Sequence, residues 1–484
     1  MKPGTDPSRA SRTSPFAWLL RKELWVCRHD RRLFLGVLLC GVLALSSAFV
    51  RIQAYQSAAR EQQAAAARWQ AAVQEQIQRS ENIQVESLRA VSPLSVLSVG
   101  LEPILPDRFT STKEGLRFGE DRGARSPVDA LFGTLDLAFV TGVLFSLLAV
   151  LLTFDSICGE RGSGTLAVLL SYPVSRGQVL LAKVLAYLSV LSLGFIPAVL
   201  VVLLGAALAG VPTMSLAHWA AWAAAGWLYL AAWTALGVGV SARVRRPAQA
   251  VLVCIVIWVA SVFLLPRGVA LAVNLLNPPE RLARLALQED RENSLLRTRF
   301  HQRVNQAFGA YMTSGEDEDA SREAFDKLRR SEEARLDRAR EELARRLWTR
   351  MEEEERARDR SLAALSFLSP TALFQSAASE LAWTGTRQRR AFYQAARDYH
   401  LRYGQKLAER QQAFFVLDAA APQDGRAMIS TKDAKPLLVP FRPPWASSSA
   451  IFASVLAPLL GLGAYTALAL FFGYRAFLRL DARG

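Results

Sequence analysis

The side chains able to do chemistry in this chain crowd into one short stretch. It reads Phe154–Asp155–Ser156–Ile157–Cys158–Gly159–Glu160–Arg161–Gly162–Ser163–Gly164–Thr165, then Leu166 to Ser171, Tyr172–Pro173–Val174–Ser175–Arg176 and on to Lys183. The Gly-rich part could suggest a phosphate cradle, but such a loop needs a lysine before its Ser/Thr to reach the phosphates. That lysine is missing. Elsewhere there is no His-Glu-x-x-His and no Gly-x-Ser-x-Gly. The histidines His29, His218, His301 and His400 are scattered, and Cys27, Cys40, Cys158 and Cys254 are too far apart for a compact metal site. No catalytic residue and no metal site is expected, so the chain is not expected to be an enzyme by itself.

What the stretch can do is mechanical. A polar approach leads into a short apolar helix over Leu166–Ser171, which Thr165 could cap and Pro173 would stop. Arg176 and Lys183 then return the chain to apolar sequence. A stiff amphipathic element held between two membrane spans passes its own motion to both.

The composition supplies the spans. Of 484 residues, 51% are hydrophobic yet 21% are charged, so the two kinds must be segregated into blocks. This excludes a fully soluble globular enzyme and a chain disordered throughout. Six blocks are long enough for about 20 helical residues across a bilayer: residues 33–50, 131–154, 184–209, 219–242, 248–265 and 447–474. Asp136 is the one acid in them, placed near an outer end where it could reach water.

Much of the net charge of +15 flanks these blocks. Arg21, Lys22, Arg28, Arg31 and Arg32 precede the first, Arg243, Arg245 and Arg246 follow the fourth, and Arg475, Arg479 and Arg483 follow the sixth. The loop Gly210–Met214 has no charge. The bias of basic loops toward the inside predicts a multi-pass protein of a bacterial inner membrane with both termini cytoplasmic. The lipid bilayer is the expected partner of this charge, and nucleic acid is not, since no zinc-knuckle spacing or aromatic basic stripe occurs. The first block reads as an uncleaved anchor. Within residues 1–32, Phe16–Arg32 reads as an amphipathic helix on the inner leaflet; residues 475–484 form a cytoplasmic tail.

Two large segments then lie outside. Residues 51–130 open with a helical Ala/Gln/Arg-rich stretch and break at Pro93, Pro103 and Pro106. Residues 278–445 are mostly helical. Phe325, Leu328, Leu336, Ala339, Leu343 and Leu347 form a stripe that must pack on something, because i,i+4 pairs such as Glu341–Arg345 and Glu352–Arg356 add only about 0.2–0.5 kcal/mol each. The stretch Arg387–Phe415 is the expected partner. The fold class is therefore an all-α membrane protein: six transmembrane helices, a cytoplasmic coupling helix in residues 155–183 and a large helical extracytoplasmic domain.

The string D-x-I-x-x-E-R-x-x-G-T-L-x-x-L-L-S-x-P-V-S-R-x-x-x-L-L-x-K resembles the coupling segment of type-2 ABC transporter permeases, most closely the gliding-motility and multicopper-enzyme maturation branch. The likeness runs over about Leu131–Leu265 and more weakly through Ser92–Ser95 and Leu368–Pro370. It implies a permease that dimerises with itself or a related subunit and docks a separate ATP-binding cassette ATPase. ATP and magnesium would be held on that partner, with no cofactor in this chain. Position by position, Asp155 opens the motif, and Glu160 and Arg161 would face the ATPase. Gly164 and Thr165 would open the coupling helix, Leu166, Leu169 and Leu170 would fill a groove on the ATPase, and Pro173 and Arg176 would fix the exit. Gly162 departs from the second acid often found there. The function so implied is export or extracytoplasmic mechanical work driven by ATP. The alternative is a membrane scaffold whose external helices bind an extracytoplasmic protein without transport. An ion-coupled secondary transporter is disfavoured by charge-poor spans.

Overall fold

The computed structural model describes residues 15–28, 31–79, 85–112, 115–119, 135–212, 215–313, 318–419, 441 and 444–479. Expectations for residues 1–14, His29, the start of the 131–154 block, Thr213, Met214 and Arg483 lie outside the described residues. Six helices are long and apolar enough to cross a membrane: Phe34–Ala65, Leu137–Gly162, Arg176–Leu208, Leu216–Arg243, Pro247–Leu276 and Ser448–Leu478. The protein is an all-α membrane protein in class. It divides into two units, one of residues 1–266 with 366–484 and one of residues 267–365.

In the larger unit, α1 (Pro15–Arg28) precedes α2 (Arg31–Arg79), a 49-residue helix whose first half is the apolar block. Three short strands follow, β1 (Val85–Leu88), β2 (Arg108–Thr112) and β3 (Gly115–Phe118), in an antiparallel sheet of order β1-β2-β3. The sheet is a departure from the expected irregular segment. Alternation in Arg108–Thr112 buries Phe109 and Ser111 on one face, and Phe109 pairs with Phe118 across the strands.

The second span, α3 (residues 137–153), starts on Asp136. Asp136 does not reach water as expected: it is buried, and its carboxylate accepts from Phe139 N at 2.7 Å and Val99 N at 2.8 Å. A buried carboxylate is tolerated when backbone N–H groups satisfy it. Then come α4 (Cys158–Gly162), α5 (Thr165–Leu170), α6 (Arg176–Leu208), α7 (Leu216–Arg243) and α8 (Pro247–Leu276).

Both α3 and α8 contain a π turn, at Val140–Phe145 and Ala260–Leu264. A π turn loosens the backbone ladder and leaves carbonyls for other donors. Tyr229 donates its hydroxyl to Gly142 O at 2.7 Å, and Ser369 donates to Ser261 O at 2.7 Å. Ser369 caps α11 (Pro370–Leu381), a twelve-residue helix wedged among the spans with Leu373, Phe374, Ala377, Ala378 and Leu381 fully buried. Phe374 stacks on Tyr229 with centroids 4.7 Å apart. The Ser92 hydroxyl donates to Ala382 O at 2.6 Å, so the two outlying motif segments, Ser92–Ser95 and Leu368–Pro370, border the same buried helix.

The smaller unit holds most of α9 (Pro279–Thr313) and α10 (Glu318–Ser366). They form an antiparallel hairpin. Phe308 and Tyr311 pack on Phe325, Arg303 meets Glu332 at 2.9 Å and Arg281 meets Glu354 at 3.5 Å. Phe325 at the start of the apolar stripe thus packs on the preceding helix, where Arg387–Phe415 was the expected partner, while Leu328 is 43% exposed. That stretch lies in α12 (Thr386–Ala419), whose Phe392 and Tyr399 close on Phe109 of the sheet at 6.0 and 5.9 Å. The nearest apolar surface in sequence wins for α10. The last span is α13 (Ser448–Leu478).

Candidate functional site: a short helix pair tied to three spans

The segment after α3 is built from local bonds outward. Gly237 of α7 lies against Thr153, where any Cβ would overlap the Thr153 hydroxyl, so the backbone of α7 rests on a side chain of α3. Just below, Ser241 of α7 accepts from Ile157 N at 2.9 Å and Cys158 N at 3.2 Å. These are unpaired donors at the start of a helix, and a hydroxyl from another span takes the place of a local cap. Asp155 is half-buried in this turn, with its carbonyl accepting from Gly159 N at 2.8 Å.

The junction between α4 and α5 turns on Gly164, whose φ of +74° is left-handed. Any other residue there would carry roughly 1–2 kcal/mol of strain. Gly164 itself occupies the cap position of α5, which corrects the expectation that Thr165 does. Thr165 is the first helical residue, and its hydroxyl donates backward to Glu160 O at 3.2 Å. The two short helices are thereby clamped together.

Leu166 and Leu169 are buried in this chain, in a cluster with Leu19, Ile157, Val179, Leu180, Val238 and Phe477, and Leu170 packs at its edge. Leu166 and Leu169 thus fill this cluster rather than the expected groove on another protein, while Leu170 stays partly exposed. Spacing of three and four puts them on the inner face, where the spans already offer apolar surface. The exposed face is Ala167, Val168, Ser171 and Tyr172, with Val168 62% exposed. Trp18 of α1 adjoins it, 5.6 Å from Tyr172.

Glu160 is engaged within this chain. Its Oε1 lies 2.9 Å from Lys183 Nζ and 3.0 Å from Lys22 Nζ, while Glu23 lies 3.1 Å from Lys183 and 2.8 Å from Lys22. Two acids and two lysines from α1, α4 and α6 form a neutral junction, with Lys183 1% and Glu23 2% exposed. Burial works against the Lys22 ammonium, but Glu23 and Glu160 outweigh it and hold its pKa above the ordinary value. Glu160 Oε2 is buried and has no hydrogen-bond partner among the described residues. Arg161 is half-buried beside it.

Pro173 is exposed where the chain leaves α5. A capping box of Ser175 and Gln178 then starts α6 at Arg176, two turns before the apolar block at Val184. Arg176 donates to Phe477 O at 2.7 Å and Leu478 O at 2.9 Å, satisfying the last carbonyls of α13. Helix α1 runs parallel to α6 at a constant offset: Leu19 clusters with Val179, Glu23 binds Lys183, and Cys27 clusters with Ala186 and Val190. It thus packs along residues 179–190 of α6. Gly239 and Gly473 bring α7 and α13 close alongside.

Sequence reasoning therefore missed Glu23, Lys22, Ser241 and the exposed Val168–Tyr172 face. One signal was present. Glu23 is the only acid in α1 and sits between Leu19 and Cys27 at spacings of four, on the apolar side of a basic helix.

A family model described as ABC-2 family transporter protein matches residues 17–482. Over 57 residues, 12% of this chain and 21% of the relative, the chain is 46% identical to the "Probable ABC transporter permease protein NosY" of Stutzerimonas stutzeri. Over 50 residues, 10% and 18% of the two chains, it is 50% identical to the protein of the same description from Pseudomonas aeruginosa. The aligned stretch spans about a fifth of each relative's length.

Proposed function

The chain belongs to the ABC-2 family of transporter proteins, and on that premise we propose that it is the permease subunit through which a separate ATP-binding cassette ATPase drives export or extracytoplasmic work. It sits in a bacterial inner membrane with both termini and the α4–α5 element on the cytoplasmic side. A second permease subunit, the same or related, completes the pathway. ATP and magnesium are bound by the ATPase.

One observation carries this reading. Helices α4 and α5 have their inner faces locked to three spans: by Ser241 to α7, by Glu160–Lys183 to α6, and through Leu166 and Leu169 to the cluster that includes Phe477 of α13. Their outer face offers Val168 and Tyr172, 62% and 51% exposed. A rigid element with one face committed and one face apolar and exposed suits a docking lever. Contact residues are then Arg161, Ala167, Val168, Ser171 and Tyr172, whereas Leu166, Leu169 and Arg176 transmit.

The test is co-purification of the tagged chain with its ATPase. Val168→Asp should lower ATPase retention at least tenfold, since burying a carboxylate at an apolar contact costs several kcal/mol, and the chain should still insert because Val168 is solvent-facing. Full retention and full stimulation of hydrolysis by Val168→Asp would overturn the assignment and favour the scaffold.

A further inference from the structure

Helix α1 has two faces of different character. The inner face, Leu19, Glu23 and Cys27 at spacings of four, is buried against α6. The outer face, Trp18, Arg21, Trp25 and Arg28 at spacings of three and four, stays exposed: Trp18 is 45% and Trp25 65% exposed, and both arginines are open to solvent. The only acid of the helix is Glu23, held on the inner side by Lys183. The outer face therefore carries cations and aromatic rings and no acid, with Val26 46% exposed beside Trp25.

Its height is set by the register on α6. Cys27 clusters with Ala186 and Val190, so Trp25 and Arg28 stand where α6 passes from its polar first turns into its apolar block. Helix α2 begins three residues later, with Phe34 and Leu35 68% and 63% exposed, as lipid-facing side chains are. That level is the headgroup zone, where tryptophan anchors and where a guanidinium can grip a phosphate with two donors.

We propose that the outer face of α1 is a binding site for anionic phospholipid headgroups, and that bound lipid steadies the ionic junction behind it. Lys22 follows Arg21 in the same helix and holds both Glu23 and Glu160. Any movement of α1 off the leaflet would pull Lys22 from Glu160. Binding itself depends only on the membrane position of α1; its effect on hydrolysis rests on the lever role of α4 and α5 proposed above.

Native mass spectrometry of the full chain, released with its ATPase from nanodiscs of mixed phosphatidylcholine and phosphatidylglycerol, reads the bound lipid directly. Wild type should retain phosphatidylglycerol in preference. The double variant Arg21→Gln, Arg28→Gln should weaken that retention about thirtyfold, the effect of removing two surface cations near an anionic leaflet. Equal retention of the two lipids by wild type, or an unchanged preference in the double variant, overturns the site. A variant that keeps its phosphatidylglycerol but sheds the ATPase would mark the face as a protein contact and overturn it as well. Glu160→Gln separates the two readings: it should keep the lipid preference while losing stimulated hydrolysis. If Glu160→Gln keeps full stimulation while the double variant loses its lipid, the lipid site stands and the lever fails.

Discussion

Glu160 and Lys183 face each other at 2.9 Å, one on the five-residue helix α4 and the other two turns into α6, just before the apolar block of the third span. Neither charge could remain in so buried a setting alone. Together with Glu23 and Lys22 they balance, and the junction is the point where α1, α4 and α6 are joined.

Breaking that balance should be costly in a defined way. Lys183→Met leaves Glu23 and Glu160 short of a cation, and removal of one partner of a buried pair costs about 3–5 kcal/mol. Thermal unfolding in detergent should drop by several degrees. The double variant Lys183→Met, Glu23→Gln should recover part of the loss, because it leaves one acid and one lysine. A double variant no more stable than the single one would mean the four groups are not energetically coupled.

Ser241→Ala removes the acceptor for Ile157 N and Cys158 N. A buried donor left unpaired costs about 1–3 kcal/mol, so residues 157–163 should exchange their amide hydrogens at least tenfold faster while the centres of α3 and α7 stay protected. Unchanged exchange at 157–163 would show that the span does not hold α4.

Leu343 is buried in the hairpin of residues 267–365, at 4% exposure. Leu343→Asp should make α9 and α10 protease-sensitive, since a carboxylate in that seam costs several kcal/mol. The larger unit should keep its melting transition. Loss of both together would mean that the units are not independent.

The proposed orientation is open to a labelling experiment. A cysteine at Ala334, exposed on α10, should react with an impermeant thiol reagent added outside spheroplasts. One at Arg245, exposed after α7, should react only after lysis. The reverse pattern would invert every statement about sides.

Six spans were legible because hydropathy is a local average: each block carries its own signal. The facing of Leu166 and Leu169 was not. Both sides of Leu166–Tyr172 are apolar, so periodicity marks two candidate faces and only the neighbouring spans decide which is buried. The partner of α10 failed for a related reason. The charged stretch Pro279–Thr313 looks solvated residue by residue, and its Phe308 and Tyr311 become a packing surface only once α10 folds back on them. Asp136 was found, but its role depends on Val99, a loop residue 37 positions away. Glu23 stood out as the lone acid on the apolar side of α1, but nothing in its neighbourhood points to Lys183, 160 residues on.

That last pairing also orders events in time. Glu23 leaves the ribosome 160 residues before Lys183, a delay of about 8–32 s at roughly 5–20 residues per second. Through that interval α1 has no lysine from α6 to meet and no third span to lie against. Chains arrested before residue 183 should leave Cys27 reactive to a permeant thiol reagent, and chains arrested after α6 has emerged should protect it. Protection of Cys27 in the shorter chains would show that α1 settles without its partner. The third span is therefore the moment at which the first helix of the protein acquires its place, and the nascent chain must keep an amphipathic segment in solution or on lipid until then.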